Sequence, residues 1–195
     1  MAAARASLIR VYKDAAESEL ITQLHHPLPS GSPLVLLVRR QRGEWLEVSL
    51  PIRPNGSSGW IRAGDVDLSV HDYRITVELR RHELTVFRGT EEIVRAPIGV
   101  GTSLTPTPGG EYYTTELLQP PDPGGPYGPY AYGLSGFSET LDSFKGTDAV
   151  VGLHGTNQPD LLGTDVSHGC IRVHNDVIEE LASMLPLGVP VEIRP

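Results

Sequence analysis

The segment Ser167-His168-Gly169-Cys170-Ile171-Arg172-Val173-His174-Asn175 sets the single cysteine of the chain among histidines and a glycine. His168 lies two residues before Cys170, His174 four after it, and His154 sixteen before it. A cysteine attacks as its thiolate, so it needs a base or a positive field close by. A glycine leaves main-chain N–H groups open to a developing oxyanion. Three readings fit these residue types. Zinc could be held by His154, His168, Cys170 and His174, although the i, i+2 spacing of His168 and Cys170 lies outside the usual zinc frames. The thiol could instead be buried and inert, as free cysteines often are. The third reading is nucleophilic catalysis, with Cys170 attacking and a histidine as base. Two histidines and two glycines near the thiol favour the third.

A site divided between His154 and Cys170 needs elements that bring two segments to one pocket. The 195 residues include 21 glycines and 17 prolines, which suits short strands joined by turns and argues against a helical bundle. The formal charge of -8 is spread along the chain, which argues against nucleic acid as a partner. No apolar run reaches the roughly 18 residues of a membrane span. One cysteine makes no intramolecular disulfide and gives no redox address.

Residues 1–70 read as a first unit of short strands at Leu34–Val38, Trp45–Val48 and Gly59–Arg62, with a loop at Pro51–Ser58. Trp45 and Trp60 are expected to fill its small core. Residues 71–195 read as a second unit. Ile75, Val77 and Leu79 alternate, Leu84 and Val86 return after a turn at Arg81-His82, and Ile93–Val100 extends an antiparallel meander. Gln119–Phe144, rich in proline and glycine with Tyr127, Tyr130 and Tyr132, reads as one long loop that covers the site. Ala149–Leu153 reads as a strand that runs into His154. Asn175 reads as the N-cap of a helix bearing Val177, Ile178, Leu181 and Leu185, and Val189, Val191 and Ile193 as a closing strand. His154-Gly155-Thr156 and Ser167–Cys170 are then expected at the ends of adjacent strands, facing one pocket.

The same residues carry a family resemblance. His154-Gly155-Thr156, with His154 thirteen positions before Ser167-His168-Gly169-Cys170-Ile171-Arg172-Val173, resembles the signature of YkuD-type L,D-transpeptidases. Thr107-Pro108-Gly109 is similar to a Thr-Pro-x-Gly turn of that family, and the likeness runs from about Tyr73 to Pro195. Gly43–Val48 with Gly59–Arg62 resembles bacterial SH3-like domains. The resemblance implies a mainly β chain: a small SH3-like barrel over residues 1–70, then a YkuD-type β-sandwich over 71–195 with one short helix near its end.

It also implies chemistry on peptidoglycan stem peptides, with no cofactor and no metal. Cys170 would attack the carbonyl between the third residue of a tetrapeptide stem and its terminal D-alanine. The thioester would pass to a side-chain amine of a neighbouring stem, giving a 3→3 crosslink, or to water, giving L,D-carboxypeptidase activity. A wall-binding module with a degenerate catalytic domain is the remaining reading. His154 would be the base, oriented by a carbonyl near Gly155, with His168 as the alternative. His168, Gly169 and Cys170 would line the oxyanion hole. Tyr132, Gly155, Thr156, Ser167 and Arg172 would bind or support the substrate. For Arg172 a buttress is preferred over a carboxylate ligand, because a residue two beyond the nucleophile is expected to point away from it. Carbapenem-type β-lactams would acylate the thiol. The activity places the protein outside the cytoplasm. Met1–Ser7 lacks the apolar core of a secretion signal, so an export signal or anchor is expected beyond this sequence.

Overall fold

In the computed structural model, which describes residues 1–144 and 146–195, short apolar runs broken by glycine and proline fold as strands. The first eight are β1 (Ala2–Ala4), β2 (Leu8–Tyr12), β3 (Leu20–His25), β4 (Val35–Leu36), β5 (Val38–Arg42), β6 (Trp45–Ser49), β7 (Ser58–Arg62) and β8 (Val66–Leu68). They make a five-stranded sheet, order β3-β2-β7-β6-β5, and a three-stranded sheet, order β4-β1-β8. Alternation turns Ile9, Val11, Leu46, Val48 and Ile61 onto a shared core. The apolar run 34–38 is divided between the two sheets rather than forming one strand.

Trp45 and Trp60 are buried, as expected, but lie outside that core cluster. Leu46 pairs with Ile61 across β6 and β7, which puts the indoles at the opposite parity, on the other face of the sheet. They are covered there by cations. The Arg62 guanidinium stands 4.2 Å from the Trp45 ring centre, and that of Arg40 stands 5.2 Å from the Trp60 ring.

The later strands are β9 (Tyr73–Glu78), β10 (Glu83–Arg88), β11 (Glu91–Pro97), β12 (Val100–Gly101), β13 (Gly110–Leu118), β14 (Ala131–Phe137), β15 (Ser143–Phe144), β16 (Thr147–Asp148), β17 (Val150–His154), β18 (Asp165–Ser167), β19 (Ile171–Arg172) and β20 (Pro190–Arg194). Eight of them form one sheet, order β11-β10-β9-β20-β13-β14-β17-β19. β9 runs parallel to β20, and β17 parallel to β19. Ile75, Val77, Leu84, Leu134, Leu153 and Ile171 turn from this sheet into the second core.

Helix α1 (Asn175–Met184) packs Ile178 and Leu181 into the same core. Its N-cap is His174, whose ring accepts from the Asp176 N–H, so the expected cap at Asn175 is displaced by one residue. Asn175 is thereby released for another bond, described below. No helix among the described residues is long and apolar enough to cross a membrane.

The expected cover at Gln119–Phe144 is in fact interrupted by a central strand. β14 pairs with β13 on one side and β17 on the other, and buries Tyr132 and Leu134. Gly133, Ser135 and Gly136 hide its apolar alternation. Glycine is needed at 136, since a Cβ there would lie 2.5 Å from Cδ1 of Tyr112. Two segments therefore flank the strand: 119–130, and a flap with described arms 138–144 and 146–149 that holds the small hairpin β15–β16. Among the side chains that join the two sets of sheets, one reaches from the second sheet into the first core. Tyr113, on β13, is fully buried in the first core and donates its hydroxyl to the Ser49 carbonyl at 3.2 Å.

Candidate active site

β17 and β19 lie side by side with His154 opposite Arg172 and Leu153 opposite Ile171. Alternate residues along a strand share a face. Gly152, His154, Cys170 and Arg172 therefore address one side. This corrects the expectation that Arg172 points away from the thiol: two residues on is the same face, and one residue on is the other. A Cβ built on Gly152 would sit 3.7 Å from Cys170 Sγ and 3.7 Å from His154 Cδ2, so thiol and imidazole flank the same glycine.

His154 is only 3 % exposed. Its Nδ1 lies 2.6 Å from the Gly155 carbonyl oxygen. A carbonyl only accepts, so Nδ1 carries the proton and Nε2 keeps a lone pair. Burial pushes the His154 pKa down to about 4; the Gly155 bond acts upward and the Arg172 charge downward. Cys170 is partly exposed at the surface of the site. Burial pushes its thiol up, while a main-chain hydrogen bond at Gly152 and the charge of Arg172 pull it down.

The strap 167–170 is held from beneath. Ser167 Oγ donates to the Cys170 carbonyl at 2.6 Å and accepts from the Gly169 N–H at 3.1 Å. Gly169 has φ +115°, a conformation that a side chain would strain. The Gly169 N–H is thus engaged with Ser167. His168 is exposed, and its ring lies 5.7 Å from that of Phe144 on the flap. Tyr127, from segment 119–130, stands edge-on to His154 at 4.9 Å.

Two cavities meet at the pair. One of about 230 Å³ is lined by Tyr127, Phe144, His154, His168, Cys170 and Arg172, among others. A second, of about 640 Å³, also reaches His154 and Cys170, and the first set of strands contributes Leu34, Val35 and Pro51 to its wall. Arg172 donates from Nη1 to Gln158 Oε1 at 3.2 Å, and its buried Nε has no hydrogen-bond partner among the described residues.

Other expected residues serve the frame. The Tyr132 ring is buried and its hydroxyl donates to the Leu181 and Leu185 carbonyls, holding the end of α1, while the residue also lines the larger cavity. Thr156 is buried, and its Oγ1 accepts from the Gln158 N–H. Its own N–H donates to Asn175 Oδ1 at 2.8 Å. Gly155 packs beneath Gly128, where a Cβ would meet Gly128 Cα at 3.0 Å. Sequence reasoning missed Asn175 as the tie between the His154 segment and the helix, since an asparagine before an apolar helical pattern reads equally well as a cap. The zinc alternative does not assemble: among the described residues no three His, Cys, Asp or Glu side chains are placed to hold a metal, and His174 is engaged at the helix start.

The family model of the YkuD-type L,D-transpeptidase catalytic domain matches residues 72–193. The chain is similar to a putative L,D-transpeptidase YkuD of Bacillus licheniformis, with 40% identity over 123 residues. That match covers 63% of this chain and 66% of the relative, so the chain spans just under two thirds of the relative's length. In three dimensions it resembles an L,D-transpeptidase from Mycobacterium smegmatis, with a TM-score of 0.51 and 15% identity over 84% of this chain and 100% of that one. It also resembles L,D-transpeptidase 3 from Mycobacterium tuberculosis in complex with a faropenem-derived adduct, with a TM-score of 0.51 and 17% identity over 80% and 69% of the two chains. These two structures speak for the fold. With the family match covering well over half of its length, and thiol, imidazole and strap gathered on β17 and β19, the chain belongs to the L,D-transpeptidase family.

Proposed function

We propose that the chain is a cysteine-dependent L,D-transpeptidase that makes 3→3 crosslinks between peptidoglycan stems. The observation that carries this reading is the His154–Gly155 hydrogen bond. It fixes the tautomer that leaves Nε2 basic, on the face that also presents Cys170. As sulfur bonds to the stem carbonyl, Nε2 takes the thiol proton. The oxyanion is met by the N–H groups of His168 and Cys170, since that of Gly169 is engaged with Ser167. The imidazolium then returns the proton to the leaving amine, and D-alanine departs from a Cys170 thioester. An acceptor amine attacks the thioester, passes its proton to His154, and frees the thiol.

Arg172 supplies the positive field that this sequence needs. Its charge acts on both His154 and Cys170, and the buried Nε without a partner among the described residues suits a carboxylate of the donor stem. His168 is assigned to the strap and cavity wall rather than to base catalysis, because it is exposed while His154 is buried and oriented. Residues 1–70 are assigned to a separate SH3-like unit and 71–195 to the catalytic domain. The substrate class places the work in an extracytoplasmic space. β-Lactams of carbapenem type are assigned as inhibitors that acylate the same sulfur.

Mass spectrometry of the intact protein with a carbapenem tests the assignment. One covalent adduct is expected, and none in Cys170→Ser. Absence of any adduct on the unaltered protein sinks the reading. Incubation of a tetrapeptide-stem donor with and without an amine acceptor then separates crosslinking from L,D-carboxypeptidase activity.

A further inference from the structure

The flap arm Ser138–Phe144 forms part of the wall of the smaller cavity through Ser138, Leu141 and Phe144, and it sets Phe144 beside His168. Within the flap, the Ser138 N–H donates to the Ala149 carbonyl at 2.8 Å, which closes the base of the flap. Its hairpin has two residue pairs, Ser143 with Asp148 and Phe144 with Thr147, and so short a hairpin is not stable alone. The Ser138 hydroxyl accepts from the Thr140 and Leu141 N–H groups at 3.3 and 3.1 Å, which shapes the turn but does not aim it.

The aim comes from the loop between β6 and β7. Asn55 Nδ2 donates to the Phe137 carbonyl at 2.8 Å, and Asn55 Oδ1 accepts from the Phe137 N–H at 2.8 Å. One amide thus pairs with the main chain as a neighbouring strand would, at the residue where β14 ends. Arg53 takes two carbonyls further along the arm. Nη1 donates to Ser138 O at 2.7 Å and Nη2 to Leu141 O at 2.9 Å, so both ends of the first turn rest on one planar group. The same guanidinium stands 5.0 Å from the Phe137 ring centre. Four hydrogen bonds and a stacked cation thus converge at the root of the arm.

We infer that Arg53 and Asn55 are positioning residues for the reaction: they aim the flap arm at the thiol and thereby set the balance between amine and water at the Cys170 thioester. The inference rests on the transpeptidase reading. A cover that is held in place excludes water from a reactive acyl intermediate while the acceptor is seated, and a loose cover does not. On this view the first set of strands is part of the catalytic apparatus rather than a spacer in front of it.

The test uses the full chain with Arg53→Ala, Asn55→Ala and Arg53→Lys. Ser30→Ala serves as control; it removes a different contact between the two sets of strands, the 2.5 Å bond from Ser30 Oγ to Glu116 Oε2. Hydrogen exchange over residues 138–144 and the ratio of hydrolysed to crosslinked product from a tetrapeptide-stem donor and an amine acceptor are the readouts. Arg53→Ala and Asn55→Ala should speed exchange in the arm and raise the hydrolysed share by about tenfold, as expected when a cover is misplaced by a remote change. Arg53→Lys, which restores the charge and one donor, should recover part of both, and Ser30→Ala should change neither. Unchanged exchange and product ratio in both alanine variants overturn the inference, as does an equal shift in Ser30→Ala. If the unaltered protein forms no acyl-enzyme on Cys170, the transpeptidase reading falls, and the exchange data still decide whether Arg53 and Asn55 hold the arm.

Discussion

Desolvation sets the protonation of the catalytic pair before substrate arrives. It pushes His154 down to about 4 and Cys170 upward, and the opposing main-chain bonds do not cancel it. The resting pair is therefore a neutral thiol beside a neutral imidazole, not the ion pair that proximity alone suggests. The proton moves with the attack itself. Acylation by a carbapenem, followed across pH, should accordingly lose its acid limb near 4 rather than near the ordinary 6.5. A limb centred near 6.5 would contradict this picture of the site. The same shift has a stability sign. The unfolded chain protonates His154 near 6.5 while the folded chain resists until about 4, so stability should fall as pH drops through that interval. The gap corresponds to about 3 kcal/mol, and denaturant melts of the wild type and His154→Gln across that range would read it. Arg172 shows how much one residue's parity matters. Its motif position was plain in the sequence, but its role depended on which strand face it shares with Cys170.

At the scale of elements, the site is two parallel strand ends tied to one helix. Asn175 makes the tie, accepting from the Thr156 N–H while α1 starts at the same residue. Asn175→Ala should cost about 1–2 kcal/mol through the lost bond and the partly buried N–H left behind. It should also slow acylation, because Gly155, whose carbonyl orients His154, lies directly before Thr156. A change in melting temperature without a change in acylation rate would restrict Asn175 to a structural part. Much of this arrangement was legible. The 3.6-residue pattern of Ile178 and Leu181 and the alternation at Val191 and Ile193 each follow from one local period, while the spacing of His154, Ser167 and Cys170 was readable through its resemblance to a family signature. What escaped reading lacked such a signal. β14 hides its apolar face because Gly136 must yield space to Tyr112. β1 is three alanines and β3 (Leu20–His25) is almost wholly exposed or half-buried, so neither shows a buried alternation of its own and their pairing comes from neighbours. Arg53 and Asn55 sit in a loop that reads only as turn residues, and their partners lie more than eighty positions away.

Across the whole molecule, the two cores are locked at few points, and Tyr113 is the deepest. Tyr113→Phe removes the bond to the Ser49 carbonyl and should cost about 1 kcal/mol. Tyr113→Ala should cost about 3–5 kcal/mol by opening a cavity in the first core, although the residue belongs to the sheet of the second. Calorimetry that resolves one transition in the wild type and two in Tyr113→Ala would identify this ring as the coupling; equal behaviour would deny it. The placement of the indoles makes that coupling visible by light. Both tryptophans of the chain, Trp45 and Trp60, lie on β6 and β7 under arginines, and the strands from β9 onward carry none. Indole emission is therefore a native reporter of the first set of strands alone, while far-ultraviolet ellipticity sums over both. Superimposed melting curves from the two signals would mean that the arginine-covered face and the catalytic sheet unfold as one cooperative body. Separated curves would give the order in which they come apart, without any label attached.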